Sequence, residues 1–179
     1  GKEGLKPNKA VNRILDVLVN VMRSIPFLIL LILVIPLTRA IVGKSYGPSA
    51  TIVPLTLAAA PFIARLVESS LLEVDKGVIE AAQSMGAGIP TIVMKVMLLE
   101  ARSSLLSGLA IALGTILGYS AMAGAVGGGG LGDIAIRYGY NRYQLDIMIV
   151  TVILLVALVQ IMQAICMRLS RKLDKRITG

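Results

Sequence analysis

The stretch Ile147–Met167, IMIVTVILLVALVQIMQAICM, contains no charged side chain. A helix that crosses a bilayer needs about 20 consecutive apolar residues, and this stretch has that length. Its residues are apolar around the whole helix, as contact with lipid requires, and they lack the alternation of a membrane strand. The stretch therefore predicts a membrane-spanning helix and an all-α membrane protein.

Three more uncharged runs precede it, Ser24–Thr38, Ser45–Ala64 and Ser103–Gly132. The first is short for a span, but the Arg39 side chain can reach outward and lengthen it. A hydrophobic content of 56% and a mean hydropathy of +0.83 agree with a single transmembrane domain over residues 1–179. The four predicted spanning helices cover about 24–42, 49–67, 104–126 and 146–167.

Lysine and arginine lie mostly on one side of these spans. They precede the first span, follow the last, and occupy the loop 69–102 and its edges: Lys2, Lys6, Lys9, Arg13, Arg23, Arg65, Lys76, Lys95, Arg102, Arg168, Arg171, Lys172, Lys175 and Arg176. Because such residues flank the cytoplasmic side of spans, both termini and the loop 69–102 are predicted to be cytoplasmic. The net charge of +8 is thereby explained without a nucleic-acid partner, since the bases form no single patch.

The segment Val11–Met22 precedes the first span and has apolar residues at helical spacing. It is predicted to form an amphipathic helix along the inner membrane surface, turning into the first span at Pro26.

Enzymatic and nucleotide-binding chemistry is not expected in this chain. It has no histidine, and no Cys, Asp or Glu cluster has the spacing of a metal site. The run Gly43-Lys44-Ser45 lacks the earlier glycine of a phosphate-binding loop, and Gly127-x-Gly129-x-x-Gly132 follows a membrane helix rather than a strand. Energy from ATP would have to come from a separate subunit that binds ATP and magnesium.

The loop 69–102 carries the most specific motif of the chain. Glu73, Lys76 and Glu80 at helical spacing predict a short charged helix, which most often means a solvated linker. The run Glu80-Ala81-Ala82-x-x-x-Gly86, followed by Val96-x-Leu98, resembles the EAA signature of ABC importer permeases of type I.

That resemblance implies a coupling helix that fits a cleft of an ATPase subunit. Its coupling residues would be Glu80, Ala81, Ala82, Met85 and Gly86. The two alanines would allow close approach, Glu80 would offer a carboxylate to a partner donor, and Gly86 would permit a sharp turn. The family usually has proline at the end of the motif, where this chain has leucine.

Four further strings are similar to the methionine-uptake branch of that family: 23–27 RSIPF, 52–56 IVPLT, 60–65 APFIAR and 118–127 GYSAMAGAVG. The resemblance implies a homodimer with two ATPase subunits and an extracytoplasmic substrate-binding protein, in the bacterial cytoplasmic membrane. Permeases of this branch have five spans, so the first helix is expected to be missing from the chain as given.

The third span holds the candidate pathway residues. Ala110, Gly114 and Gly118 repeat every four residues, a pattern that lets helices approach closely. Tyr119, Ser120 and Met122 bring polar or polarizable groups near the membrane middle. The resemblance implies that this segment lines the central pathway, so the three residues are predicted to gate it, although Met122 could equally serve as ordinary core packing.

The second span contains Pro54 and Pro61, which can kink it, and ends with Arg65 and Glu68, predicted to form a local ion pair. After the third span, Gly127–Gly130 predicts a supple outer loop. The tyrosines that follow favour an interfacial belt over a docking surface for a binding protein. For Asp133 and Arg137, in the same segment, both the belt and the docking surface are open interpretations.

Competing functions predict different sequence features. A secondary transporter or channel subunit would carry charges deep in a span and an internal inverted repeat, and the uncharged runs offer neither. An intramembrane enzyme would need a catalytic constellation at helix depth. Because spans two to four carry few fixed charges, a small, partly apolar zwitterion is favoured as cargo. Methionine, other apolar amino acids and short peptides all meet this description, and the resemblance favours methionine.

Overall fold

The computed structural model describes residues 8–173, and every regular element within that range is helical, as predicted. The α-helices in chain order are α1 Lys9–Ser24, α2 Phe27–Leu33, α3 Ile35–Val42, α4 Pro48–Leu72, α5 Lys76–Ser84, α6 Ile89–Thr91, α7 Leu98–Glu100, α8 Arg102–Ala123, α9 Gly130–Ile134 and α10 Leu145–Leu173. A π-helical turn, Ile92–Met97, joins α6 to α7, and a second, Ala135–Tyr140, continues α9. The basic residues at 2, 6, 175 and 176 lie outside the described range.

Three long apolar helices form the frame of the protein. Among the described residues, α4, α8 and α10 are each long and apolar enough to cross a membrane. They correspond to the second, third and fourth predicted spans, and α4 and α10 continue beyond the predicted ends to Leu72 and Leu173. Helix α8 packs between the other two, and Gly114 brings it against Gln163 of α10. The packing role expected for Gly114 is confirmed.

The first predicted span differs from a single helix. It is divided at Val34 into α2 and α3. Pro36 explains the break, because proline has no N–H to donate to the carbonyl of Ile32. The backbone still bonds across the division, with the N–H of Val34 donating to the oxygen of Leu30 at 3.0 Å.

Helix α1 turns sharply into α2. The two helices meet at 102°, so the turn predicted at Pro26 is confirmed. Taken together as one bent element, α1 and α2 are long and apolar enough to form a fourth span. The apolar side of α1 points away from the rest of the chain, and Ile14 is 67% exposed.

The glycine-rich segment after α8 is closely packed at some of its glycines, whereas nothing lies within 4 Å of a Cβ placed at Gly127 or Gly130, so the supple loop predicted for 127–130 stays a prediction. A Cβ at Gly124 would meet the backbone N of Asp133, and one at Gly132 would lie 2.6 Å from the Cα of Ala121. The N–H of Gly128 donates to the oxygen of Ala123 at 3.0 Å. Glycine is needed here because two backbones touch, and this contact folds α9 back onto the end of α8.

Charges in the segment after α9 pair locally. Arg137 donates from Nη2 to Oδ1 of Asp133 at 3.1 Å, and the same nitrogen lies 2.9 Å from Oδ2, so the two residues form an ion pair. The Arg142 guanidinium lies 4.7 Å from the centre of the Tyr138 ring. Tyr140 and Tyr143 are strongly exposed, as an interfacial belt requires, and the belt stays a prediction.

Candidate functional sites

Helix α5 is the candidate coupling element. Its N-terminus is capped by Asp75, whose carboxylate accepts from the N–H of Gly77 at 2.7 Å. This cap was not foreseen, although an aspartate just before a helical run is its usual signal. Glu73, which the charge spacing assigned to the same helix, lies instead at the C-terminus of α4.

The end of α5 is a Schellman turn built on Gly86. The N–H of Ala87 donates to the oxygen of Ala82 at 3.1 Å, and that of Gly86 to the oxygen of Gln83 at 2.9 Å. Gly86 has a φ of +78°, and nothing in the chain lies within 4 Å of a Cβ placed there. The predicted sharp turn is confirmed, and its glycine is needed for backbone conformation rather than for space within this chain.

The signature residues divide into an inner and an outer face of α5. Ala82 is buried, whereas Glu80 and Ala81 are exposed and Met85 is 81% exposed. An apolar side chain so open to solvent at a helix end is available for contact with another protein. Ala82, on the inner face, is therefore the signature residue that packs α5 against the rest of the chain.

The segment that returns from α5 to α8 is helical almost throughout. It runs from Ile89 to Glu100 with the π-helical turn in its middle, and Ile92 is its buried anchor at 1% exposure. Leu99, which replaces the family's proline, is exposed in α7 and leaves the helix intact up to Glu100.

The three predicted gating residues do not share one surface. The Tyr119 ring stacks on Phe27 with centroids 4.7 Å apart and planes inclined by 10°. Met122, one helical turn further, is 47% exposed. Ser120 is also exposed but lies nearly opposite Met122, because residues two apart in a helix differ by about 200°. Tyr119 and Met122 form one candidate surface, and Ser120 lies outside it.

Arg65 joins α1 to α4. Its guanidinium lies 2.6 Å from Oε2 of Glu68, so the predicted ion pair is confirmed. It also lies 3.2 Å from Oδ1 of Asp16 and 3.0 Å from Oδ1 of Asn20, both on α1. The sequence offered no signal for these two partners, because they are about 45 residues away along the chain.

Replacing Arg65 with leucine is expected to loosen α1 from α4. The contacts to Asp16 and Asn20 are part-exposed, so solvent screens them and their contribution is modest. Hydrogen exchange over residues 9–24 should therefore accelerate by up to roughly five-fold. Arg39→Leu is the matched control, because Arg39 forms no ion pair with a described residue. Equal exchange in both variants would show that Arg65 does not hold α1.

Serine hydroxyls join the C-terminal ends of α4 and α10 to the N-terminal end of α8. Oγ of Ser104 on α8 donates to Oγ of Ser70 on α4 at 3.0 Å. Oγ of Ser170 on α10 donates to the backbone oxygen of Ser103 at 2.9 Å and lies 3.0 Å from Oγ of Ser107. The sequence interpretation missed this cluster, although small polar residues at i and i+4 in a span are a known packing signal.

Comparison with known proteins places this arrangement in a family. The family model described as "Binding-protein-dependent transport system inner membrane component" matches residues 3–179. The Vibrio cholerae protein named "Probable D-methionine transport system permease protein MetI" is 55% identical over 175 residues, which are 98% of this chain and 78% of that protein. The Bacillus subtilis "Methionine import system permease protein MetP" is 45% identical, over 98% of this chain and 79% of its own length.

A solved structure agrees with both relatives. It is an inward-facing conformation of the MetNI methionine ABC transporter, with a TM-score of 0.95 and 48% sequence identity. The match covers 98% of this chain and 81% of the solved one. The chain therefore belongs to the family of binding-protein-dependent transport system inner membrane components.

Proposed function

We propose that this chain is the permease subunit of an ATP-driven importer that moves methionine across the bacterial cytoplasmic membrane. It acts as a homodimer with two ATPase subunits, which bind ATP and magnesium, and receives its cargo from an extracytoplasmic binding protein. The observation that carries the proposal is α5, a capped helix with an exposed Met85 at its end, in the loop that joins the long helices α4 and α8. The names of the two relatives support methionine as cargo.

In this function α5 transmits the closure of the ATPase subunits. Glu80, Ala81 and Met85 present the contact surface, Ala82 anchors the helix, and Gly86 sets the direction of the returning chain. Because the loop is attached directly to α4 and α8, a displacement of α5 moves both of them. Alternating access follows when this movement opens one side of the helix bundle and closes the other. The proposal places α5 and the C-terminus on the cytoplasmic side.

The cargo passes a surface formed by Tyr119 and Met122. The Tyr119 ring is held by its stack on Phe27, whereas the Met122 side chain is free to change rotamer. A small zwitterion with an apolar side chain can pass such a surface with weak contacts, since the external binding protein supplies tight recognition.

Transport by the whole complex tests the proposal. Vesicles that contain the complex, its binding protein and internal ATP are expected to accumulate labelled methionine, and vesicles without ATP are not. A charged residue in place of Met122 should reduce the rate at least ten-fold, because a charge at that depth is costly to desolvate. Leu109→Glu, also on an exposed part of α8, is the control for insertion of a charged variant. Uptake of another solute without any uptake of, or competition by, methionine would contradict the assignment of cargo.

A further inference from the structure

Helix α1 turns its polar side towards the protein. Asn12, Asp16 and Asn20 repeat every four residues and therefore form one stripe along the helix. Nδ2 of Asn12 donates to Oδ2 of Asp16 at 3.2 Å. Arg65 on α4 binds the other two residues, with Nη1 lying 3.2 Å from Oδ1 of Asp16 and Nη2 donating to Oδ1 of Asn20 at 3.0 Å. The polar groups that a surface helix normally presents to water are thus directed at α4.

The opposite side of α1 is apolar, and the part of the chain that the structure describes leaves it uncovered. Six large apolar side chains on this side are each more than half exposed: Val11, Ile14, Leu15, Val17, Leu18 and Val21. We call them the apolar face of α1. A contiguous exposed patch of this kind marks contact with another protein or with a membrane.

Two features of the geometry favour a membrane beside this face. The bend of 102° sets α1 nearly perpendicular to α2, which begins a predicted span, so α1 runs along the membrane rather than across it. Arg65, which holds α1, lies about 10 Å before the end of α4 at Leu72, and α4 is longer than the roughly 30 Å hydrocarbon core. Helix α1 is therefore held where acyl chains meet head groups, on the side of α5, with its apolar face pointing away from the bundle.

We propose that the apolar face of α1 is a lipid-docking surface, immersed among the acyl chains of the leaflet on the side of α5. The proposed function makes this the cytoplasmic leaflet. The sequence predicts only a helix along the inner membrane surface. The structure adds which side chains enter the leaflet and that Arg65 ties the inserted helix to α4. Through that tie the leaflet fixes the depth of the α4 end that leads into the coupling helix α5.

The bases of α1 do not share the apolar face. Measured around the helix from Ile14 at about 100° per residue, they lie about 140°, 100° and 180° away: Lys9, Arg13 and Arg23. Many interfacial helices gain binding strength from the attraction between such bases and anionic lipids. That gain is small when the bases point away from the inserted side. Docking of α1 therefore depends on buried apolar area, and it should be nearly insensitive to the charge of the lipid.

Spin labels on α1 test this surface in the assembled transporter. The complex with cysteine-free ATPase subunits is placed in nanodiscs after Cys166→Ser, and one label is attached at Ile14→Cys. Power saturation compares collisions of the label with oxygen, which concentrates in lipid, and with a water-soluble nickel chelate. Arg13→Cys is the matched control, because Arg13 is exposed on the same helix but outside the apolar face. We expect an oxygen-to-nickel ratio roughly five-fold higher at Ile14 than at Arg13.

Leu18→Cys, one turn further along the apolar face, should give the same high ratio and decides if the label at Ile14 prevents assembly. Both ratios should persist when zwitterionic lipids replace anionic ones, and their loss would overturn docking by apolar area. Equal ratios at Ile14 and Arg13 would place the face in water and overturn the inference. A label that neither reagent reaches would also overturn it, because protein would then cover the face. These outcomes do not depend on the cargo, so a failure of methionine uptake leaves the inference standing.

Discussion

A valine in place of Gly86 is expected to reduce ATP-driven uptake at least ten-fold while the chain still inserts into the membrane. The φ of +78° at this position is a conformation that β-branched residues avoid, at a cost of about 1–2 kcal/mol. Because α5 is short, the chain can relieve this strain by unwinding its last turn. The exposed face that carries Glu80 and Met85 would then no longer be presented correctly. Uptake into vesicles and co-purification of the ATPase subunits measure the two consequences.

Two control variants separate backbone conformation from crowding at the partner. Gly88→Val changes a glycine two residues away that has a φ of −71° and whose added Cβ would lie at an ordinary 3.9 Å from Cδ of Pro90, so it should leave uptake close to normal. Gly86→Asn tolerates the left-handed conformation and should restore most of the activity if conformation alone matters. Loss of activity in both Gly86 variants would instead indicate that a partner's backbone lies against this position. Normal uptake and normal co-purification in Gly86→Val would refute the role of the turn.

An alanine in place of Gly132 is expected to destabilise the protein by about 3 kcal/mol or more, at the upper end of the usual cost of overpacking. The new Cβ would meet the backbone oxygen of Ala121 and lie 2.6 Å from its Cα. Backbone atoms of α8 cannot rotate away as a side chain can, so α9 must move as a unit. Thermal unfolding of the purified protein in detergent, followed by size-exclusion chromatography, should show the loss as a clearly lower midpoint temperature.

Gly118→Ala is the matched control for this effect. It adds the same methyl group to α8, at a position where nothing in the chain lies within 4 Å. The control should unfold at the wild-type temperature or slightly above, because alanine favours the helix over glycine. Equal midpoints for the Gly132 variant and the wild type would mean that the contact between α9 and α8 yields without loss of stability.

The long helices could be predicted from sequence because their signal is local. A run such as Ile147–Met167 is uncharged whatever lies around it, and its length alone decides that it can cross a bilayer. The turn at Gly86 was predictable for the same reason, since a helix end needs a residue that adopts positive φ. The break at Val34 could also have been read from Pro36, although the uncharged run hid it.

Other features required the folded chain. The sequence does not show which glycines after α8 are packed, and only the folded chain shows that Gly124 and Gly132 lie directly against the neighbouring backbone. Helical spacing alone separates Ser120 from Met122, whereas the stacking of the Tyr119 ring on Phe27, from a distant segment, shows only in the folded chain.

What the sequence determined by itself was therefore the class of fold, three of the spans and the turns at Pro26 and Gly86, all of which depend on neighbouring residues. What only the tertiary structure decided was the partnership between distant segments. Arg65 reads as a base at the end of a span, yet it also binds Asp16 across the bend. The physical reason is that the 102° turn brings α1 against α4, and the distance between segments far apart in sequence follows from packing rather than from any local pattern.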